Sequence, residues 1–257
     1  MDPWTPSPPS AAETGPCRVV CFAYAGGGAS AFAPWRAVPG LVVRPMEYPG
    51  RESRWGEPAA PALGALVDAL ADELPDLDAA PWAFWGHSMG ALVAFELARR
   101  LQARGAALPC HLFVSGARAP HLPPRDPIHH LPAGSFLARL AEYGGIPAAV
   151  LENRELLSLL LPVVRHDFGL LERHEFGDSP PLAVPVSAFG GLQDEHVPIG
   201  DLLAWSRHTS SSFRPRFLAG GHFFPFASID AMAGYLREDL EGVAGAGHAS
   251  TPARGAA

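Results

Sequence analysis

The segment Gly86-His87-Ser88-Met89-Gly90 has the clearest chemical meaning in this chain. It follows the apolar run PWAFW and precedes ALVAFELARRL, which has the pattern of a helix. A serine between two glycines at a strand-to-helix junction is held on a tight, strained turn that exposes its hydroxyl. The helix amino terminus behind it supplies amide donors and partial positive charge, which favour an oxyanion. The pattern predicts a nucleophile at Ser88; the alternative is a serine that only caps a core helix.

A nucleophilic serine needs a base, and the base needs a carboxylate that orients it. With this serine turn, the acid and then the base follow along the chain at the ends of later strands. His222 fits the base because it lies in a glycine-rich turn directly after a late strand, FRPRFLAGGHFF, while His196 is its rival. The preceding loop, GGLQDEHVP, offers Asp194 and Glu195. We favour Asp194; the alternative for either carboxylate is a helix cap or a solvated loop position.

Two backbone amides are needed to hold an oxyanion beside the serine. One is expected from Met89, directly after the nucleophile, and the other from the loop 24–28, Tyr-Ala-Gly-Gly-Gly, after the first strand. The glycine run could instead suggest a phosphate site. It lacks the G-x-G-x-x-G pattern, and the chain contains no lysine to complete a P-loop. Nucleotide binding is therefore disfavoured.

The elements that would position these residues alternate along the chain. Six strand-like runs are separated by helical stretches, which predicts a parallel sheet with helices on both faces. The strand-like runs are 17–24, 41–48, 81–86, 110–116, 182–190 and 213–220, and the helical stretches are about 59–74, 89–104, 197–208 and 226–241. One domain is expected over 17–242, with unordered segments at 1–16 and 243–257.

Residues 118–178 interrupt this rhythm. A crossover needs one helix, but this stretch has a proline-rich opening followed by helical patterns at 135–145 and 153–174. Ligands of α/β sheets bind at the carboxyl ends of the strands, where an inserted pair of helices would cover them. We expect a lid; the alternative is a structural subdomain without a gating role.

Composition excludes several other classes of protein. The chain has 257 residues, 48% of them apolar, and a formal net charge of −7. An acidic chain is a poor nucleic-acid binder because counterion release requires basic residues. All 19 basic residues are arginine, so lysine-based enzyme chemistry is excluded. The sequence has neither a membrane-spanning apolar run nor a signal peptide, which predicts a cytoplasmic protein without a membrane partner.

Several motifs together resemble one family. They are CFAYAGGGASAFAPW, MEYPGRESRWGEP, FWGHSMGALVAFELAR, LLLPVVRHDF, FGGLQDEHVP and FLAGGHFFPF, in this order. The chain resembles, over roughly residues 17–240, the stand-alone type II thioesterases that accompany polyketide synthases and nonribosomal peptide synthetases. The pieces YPGRESRWGEP and LPVVRHDF are the most specific, because general esterases do not share them.

The resemblance implies an α/β-hydrolase with a helical lid that removes aberrant or stalled acyl groups from the phosphopantetheine arm of carrier proteins. It implies a triad of Ser88, Asp194 and His222, with the amides of Ala25 and Met89 as the oxyanion hole. A site of this type needs no metal or cofactor. We expect a monomer. Carrier proteins are typically acidic, so a local basic patch or apolar contacts would bind them; the candidate arginines are Arg36, Arg44, Arg51 and Arg54.

Three other functions share some of these features. A general carboxylesterase or lipase would use the same triad on oxygen esters. A hydrolase fold that has lost catalysis would act only as a binding module, although the intact triad speaks against this. A terminal thioesterase domain cut from a synthase is the third alternative. The initiator methionine and short tails favour a free-standing protein over it.

Overall fold

The computed structural model describes residues 18–74, 81–145, 150 and 152–246. Six parallel strands form one sheet in the order β2-β1-β3-β4-β5-β6. The strands are β1 Arg18–Phe22, β2 Val42–Pro45, β3 Trp82–His87, β4 His111–Ser115, β5 Val186–Gly191 and β6 Phe213–Leu218. All six predicted strands are therefore present, and the prediction of a parallel α/β sheet is confirmed.

The seven α-helices described connect and cover these strands. They are α1 Leu63–Glu73, α2 Met89–Arg104, α3 Ala133–Glu142, α4 Arg154–Glu172, α5 Ile199–Leu203, α6 Phe224–Ala227 and α7 Ile229–Ala246. Short 3₁₀ segments occupy Ala29–Ala37, Glu52–Arg54 and Ala204–His208. The first two of these were not predicted. Helix α7 reaches four residues into the segment expected to be unordered, and 1–16 and 247–257 lie outside the described residues.

Alternating side chains of each strand enter two separate cores, because successive residues of a strand point to opposite faces. On β1, Val20 and Phe22 join the core under α1 and α2. Val19 and Cys21 join the opposite core, formed with α7 and the 3₁₀ segment Ala29–Ala37. Strands buried on both faces explain why their sequences read as continuous apolar runs.

Helices α3 and α4 lie in the long connection between β4 and β5. They build a third, small core around Phe136 and Leu140, against which Leu161, Val164 and Phe168 of α4 pack. Helix α4 begins at an N-cap, Asn153, whose side chain accepts from the Leu156 amide at 3.0 Å. The insertion thus has its own apolar packing and is placed where it can line a site above the sheet. In the described ranges, no helix is long and apolar enough to cross a membrane.

Candidate active site

Ser88 occupies the sharp turn between β3 and α2. Its backbone has φ 54° and ψ −117°, a conformation that costs a non-glycine residue about 1–3 kcal/mol. Its amide donates to the Ser115 carbonyl at 2.8 Å, which holds the turn against β4. The side chain makes no capping hydrogen bond to α2, so its hydroxyl is left for the cavity in front of the helix.

The two glycines of the turn are required by close backbone contacts. A Cβ on Gly86 would lie 2.1 Å from the Gly90 carbonyl oxygen. A Cβ on Gly90 would lie 1.9 Å from the carbonyl oxygen of Phe22, at the end of β1. No side chain fits at these distances, so the glycines bring α2, β3 and β1 into direct contact. The sequence pattern predicted this turn correctly.

Asp194 and His222 meet at the carboxyl end of the sheet. Asp194 lies three residues beyond β5, and its amide donates to the Gly191 carbonyl at 3.1 Å. His222 lies four residues beyond β6. The Nδ1 atom of His222 is 2.8 Å from Oδ2 of Asp194, and both side chains are buried. Glu195, the alternative acid, is exposed.

This hydrogen bond fixes the tautomer of His222. An ionised carboxylate only accepts, so Nδ1 carries the proton and Nε2 keeps its lone pair. Burial is the largest influence on the Asp194 carboxyl and would raise its pKa, but the hydrogen bond and charge of His222 and the His196 amide outweigh it. The pKa of Asp194 is therefore lowered. Ser88 and His222 line the same cavity, so the arrangement can support a serine nucleophile with an imidazole base.

The loop after β1 contributes to the wall of the cavity that Ser88 lines. Tyr24, Ala25 and Gly26 line the same cavity as Ser88. The Gly27 amide donates to the Tyr24 carbonyl at 2.8 Å, which closes the loop into a turn. Met89 is the first residue of α2, so its amide is among the four that an α-helix leaves without an intrahelical acceptor. The two amides expected to hold an oxyanion thus belong to segments at this cavity.

An ion pair between Arg51 and Asp167 holds this loop in place. Arg51 donates to the Asp167 carboxylate at 2.8 Å and to the Gly27 carbonyl at 2.7 Å. The other oxygen of Asp167 accepts from the Gly26 amide at 2.7 Å. Both charged side chains are buried. Asp167 belongs to α4, so the insertion is tied directly to the backbone beside Ala25.

Sequence reasoning missed this pairing, although both partners lie in the two motifs identified as most specific. Arg51 was instead a candidate for a basic patch, together with Arg54, which donates to Glu57 at 2.8 Å. Both arginines are buried, which contradicts a role in an exposed patch. Of the other candidates, Arg36 is exposed and Arg44 is half-buried.

Two cavities meet at Ser88 and His222. The first, of about 200 Å³, is called the chamber and is mostly apolar; its lining includes Leu140, Leu157, Leu161, Val164 and Phe223. The second, of about 410 Å³, is called the groove and has a more polar lining that includes Arg118, Arg125 and Arg139. Tyr143 and Phe168 line both cavities, as do Ser88 and His222. An extended molecule could therefore place its middle at Ser88 and its ends in different surroundings.

A second set of serine, histidine and aspartate shows a geometry unsuited to catalysis. Ser187 donates to Asp239 at 2.6 Å, and Nε2 of His111 lies 2.9 Å from the same hydroxyl. Because the hydroxyl proton goes to Asp239, His111 must donate to Ser187 and cannot act as its base. All three side chains are buried within the fold, and Arg214 and Arg216 also bind Asp239. This network joins β4, β5, β6 and α7.

Comparison with known proteins identifies the family. The thioesterase-domain family matches residues 17–240. The chain belongs to the thioesterase family. This thioesterase is 38% identical over 210 residues to thioesterase PikA5 of Streptomyces venezuelae, covering 80% of this chain and 75% of PikA5. The structure of YbtT, a type II thioesterase from the yersiniabactin NRPS/PKS pathway, superposes with a TM-score of 0.80 at 31% identity, covering 92% of this chain and 97% of YbtT.

One similar protein carries a name from another enzyme class. Linear gramicidin dehydrogenase LgrE of Brevibacillus parabrevis is 39% identical to the thioesterase over 245 residues, covering 93% of this chain and 92% of LgrE. In this chain the glycine-rich loop after β1 leads into the 3₁₀ segment Ala29–Ala37 and not into the α-helix whose amino terminus holds the pyrophosphate of a dinucleotide in a dehydrogenase. The fold is that of the α/β-hydrolases, and the enzyme is a hydrolase that acts on thioesters.

Proposed function

We propose that this thioesterase hydrolyses acyl groups from the phosphopantetheine arm of carrier proteins, and so clears stalled or aberrant units in polyketide or nonribosomal peptide synthesis. The names of PikA5 and YbtT support the type of pathway. The observation that carries the proposal is the meeting of an apolar chamber and a polar groove at Ser88 and His222. A thioester with an apolar acyl group on one side and a long polar arm on the other matches these two environments.

In the proposed mechanism, His222 removes the proton of Ser88 as the hydroxyl attacks the thioester carbonyl. The amides of Ala25 and Met89 hold the resulting oxyanion. The carbon–sulfur bond then breaks and the arm leaves as its thiol, which takes a proton from His222. Water, activated by the same imidazole, hydrolyses the acyl-serine and restores the enzyme. Asp194 holds His222 in the required tautomer and stabilises the imidazolium. No metal or cofactor takes part in these steps.

The chamber favours short acyl groups. An apolar cavity of about 150 Å³ binds benzene, so a chamber of about 200 Å³ accepts a group only somewhat larger. Its walls come mainly from α4 and the loop after β1, and they present few polar atoms that would select one acyl structure. Broad acceptance of short chains suits an enzyme that removes different unwanted groups.

The groove suits the polar arm and its phosphate. Arg118 is paired with Asp201 at 2.6 Å, whereas Arg125 is 58% exposed and lies 4.0 Å from the same carboxylate. The groove also contains carboxylates, Asp126, Glu142 and Glu172 among them, so its charge is mixed. Arg125 is accordingly our candidate for contact with the arm's phosphate. We further propose that the insertion acts as a lid and that the enzyme works as a cytoplasmic monomer.

The decisive experiment compares one acyl group on a carrier protein and on a short pantetheine mimic, at several salt concentrations. Contacts outside the reacting group raise kcat/KM without changing the chemistry, so the carrier-bound form should be the better substrate. Equal kcat/KM values would reject the carrier-protein proposal. Oxygen esters of the same chain length test the esterase alternative; faster hydrolysis of these esters than of the thioesters would favour it. Ser88→Ala serves as the inactive control.

A further inference from the structure

Tyr143 of the insertion touches the residues around the proposed acid and base. It follows α3 directly. Its ring lies parallel to the imidazole of His196, with centroids 3.6 Å apart and an angle of 8° between the planes. Its ring also meets the imidazole of His222 at 5.1 Å and 76°. The two imidazoles meet each other edge-on at 5.9 Å, so the three rings form one aromatic cluster.

Both histidines of this cluster are hydrogen-bonded to Asp194, His196 through its backbone and His222 through its ring. The backbone N–H of His196 donates to Oδ1 of Asp194 at 3.0 Å, and Nδ1 of His222 lies 2.8 Å from Oδ2. Tyr143 therefore packs on the residue that holds one oxygen of the carboxylate and on the base that uses the other. Ring packing at these distances restricts the orientation of all three rings.

The aromatic ring of Tyr143, and not the ionisation of its hydroxyl, makes the contacts with the two imidazoles. Burial, with a smaller contribution from the Glu172 charge, raises the pKa of Tyr143 to about 12, so the phenol stays neutral under assay conditions. A phenylalanine would keep the same stacking surface. A Tyr143→Phe variant therefore distinguishes positioning by the ring from hydrogen bonding or proton transfer by the hydroxyl.

We propose that Tyr143 is a positioning residue, which holds His196 and His222 in the arrangement that the acid–base pair needs. The proposal rests on the roles assigned above to Asp194 and His222. Tyr143 also lines both the chamber and the groove, so a bound acyl group packs against it. Contact of a bound acyl group with Tyr143 would therefore link acyl binding to the order of the two imidazoles.

The test compares three variants by kcat, KM and the rate of labelling with a small fluorophosphonate. Tyr143→Ala should lower kcat and the labelling rate about tenfold, the effect of losing two ring contacts. Tyr143→Phe should remain within about twofold of the wild type, since the stacking surface is kept. Phe168→Ala is the matched control. It removes the other ring shared by the two cavities, which packs on Phe136 and Tyr143, and it should act mainly on KM.

Two results would overturn the proposal. If Tyr143→Ala raised KM and left kcat and labelling unchanged, Tyr143 would only be part of the chamber wall. If Tyr143→Phe were as damaging as Tyr143→Ala, the hydroxyl would be the important group. Should Tyr143→Ala fail to fold by circular dichroism, Tyr143→Leu retains apolar volume without an aromatic ring and is expected to show the same loss. Fluorophosphonate labelling requires no thioester, so these results are independent of whether carrier-bound thioesters are substrates.

Discussion

Asp194→Asn should inactivate the enzyme through the tautomer of His222. The His196 amide donates to Oδ1 of Asp194 at 3.0 Å, so the amide oxygen of an asparagine would occupy that position. Its NH₂ group would then face Nδ1 of His222 in place of the oxygen now 2.8 Å away. Because NH₂ only donates, Nδ1 must become the acceptor and the imidazole proton must move to Nε2. The imidazole would then have no lone pair on Nε2, the nitrogen that takes the proton of Ser88 in the proposed mechanism.

The expected loss of kcat follows from the altered tautomer of His222. In triads of this kind, the same exchange lowers kcat by about 10⁴, equivalent to about 5.4 kcal/mol of transition-state stabilisation. The assay follows thiol release from a short acyl-pantetheine, and fluorophosphonate labelling of Ser88 should slow in parallel. Thermal unfolding shows whether the variant is folded.

Glu195→Gln is the matched control, since Glu195 is the exposed neighbour of Asp194. It should retain nearly full activity. The reasoning would be refuted if Asp194→Asn kept more than about a tenth of the wild-type kcat, because a wrong tautomer leaves only the oxyanion hole and binding. A severe loss in Glu195→Gln would instead show that the acid had been assigned to the wrong carboxylate.

Three further predictions concern stability. Ser88→Ala and Ser88→Gly should both be inactive. In urea unfolding, Ser88→Gly should be more stable than Ser88→Ala by about 1 kcal/mol, since glycine adopts the backbone conformation of this turn without strain. Equal stabilities of the two variants would argue against backbone strain at Ser88. Arg51→Met and Asp167→Asn should each cost about 3 kcal/mol in the same assay, because either change leaves the charge of the other partner buried without its counter-ion; a neutral Arg51→Met would contradict this. Burial raises the pKa of Asp239, but Ser187 and two arginines outweigh it and hold the pKa below its usual range. The ionised carboxylate therefore stabilises the folded protein above about pH 4, and this contribution is lost as the pH falls through the folded-state pKa. The difference in free energy of unfolding between wild type and Asp239→Asn should accordingly shrink on acidification. A constant difference from pH 7 to pH 2 would refute this prediction.

The sequence was sufficient to predict the sheet and the candidate site because these depend on local patterns. Apolar runs of strand length, with glycines directly after them, located β3, β5 and β6 and the loops that present Ser88, Asp194 and His222. The segment Ala29–Ala37 was missed because it is a 3₁₀ helix containing Pro34, and it lacks the periodicity of an α-helix.

Contacts between distant segments could not be predicted in the same way. Arg51 and Asp167 are 116 positions apart, and nothing in their spacing indicates an ion pair. The same is true of Tyr143 and His196, which meet only because the insertion folds back over the sheet. Motif resemblance indicated that the segments around Arg51 and Asp167 matter, but their physical role became visible only in three dimensions.

The contact of Gly90 with the Phe22 carbonyl has a consequence for tolerance to mutation. The serine turn and the end of β1 touch through main chain alone, Gly90 against the Phe22 carbonyl, with no side chain between them. Changes of side-chain volume in the two cores can therefore be absorbed without altering the spacing between the serine turn and the end of β1. Substitutions in the cores should therefore lower the free energy of unfolding and leave kcat per folded molecule unchanged. The total activity of such a variant would then report the fraction of molecules that are folded.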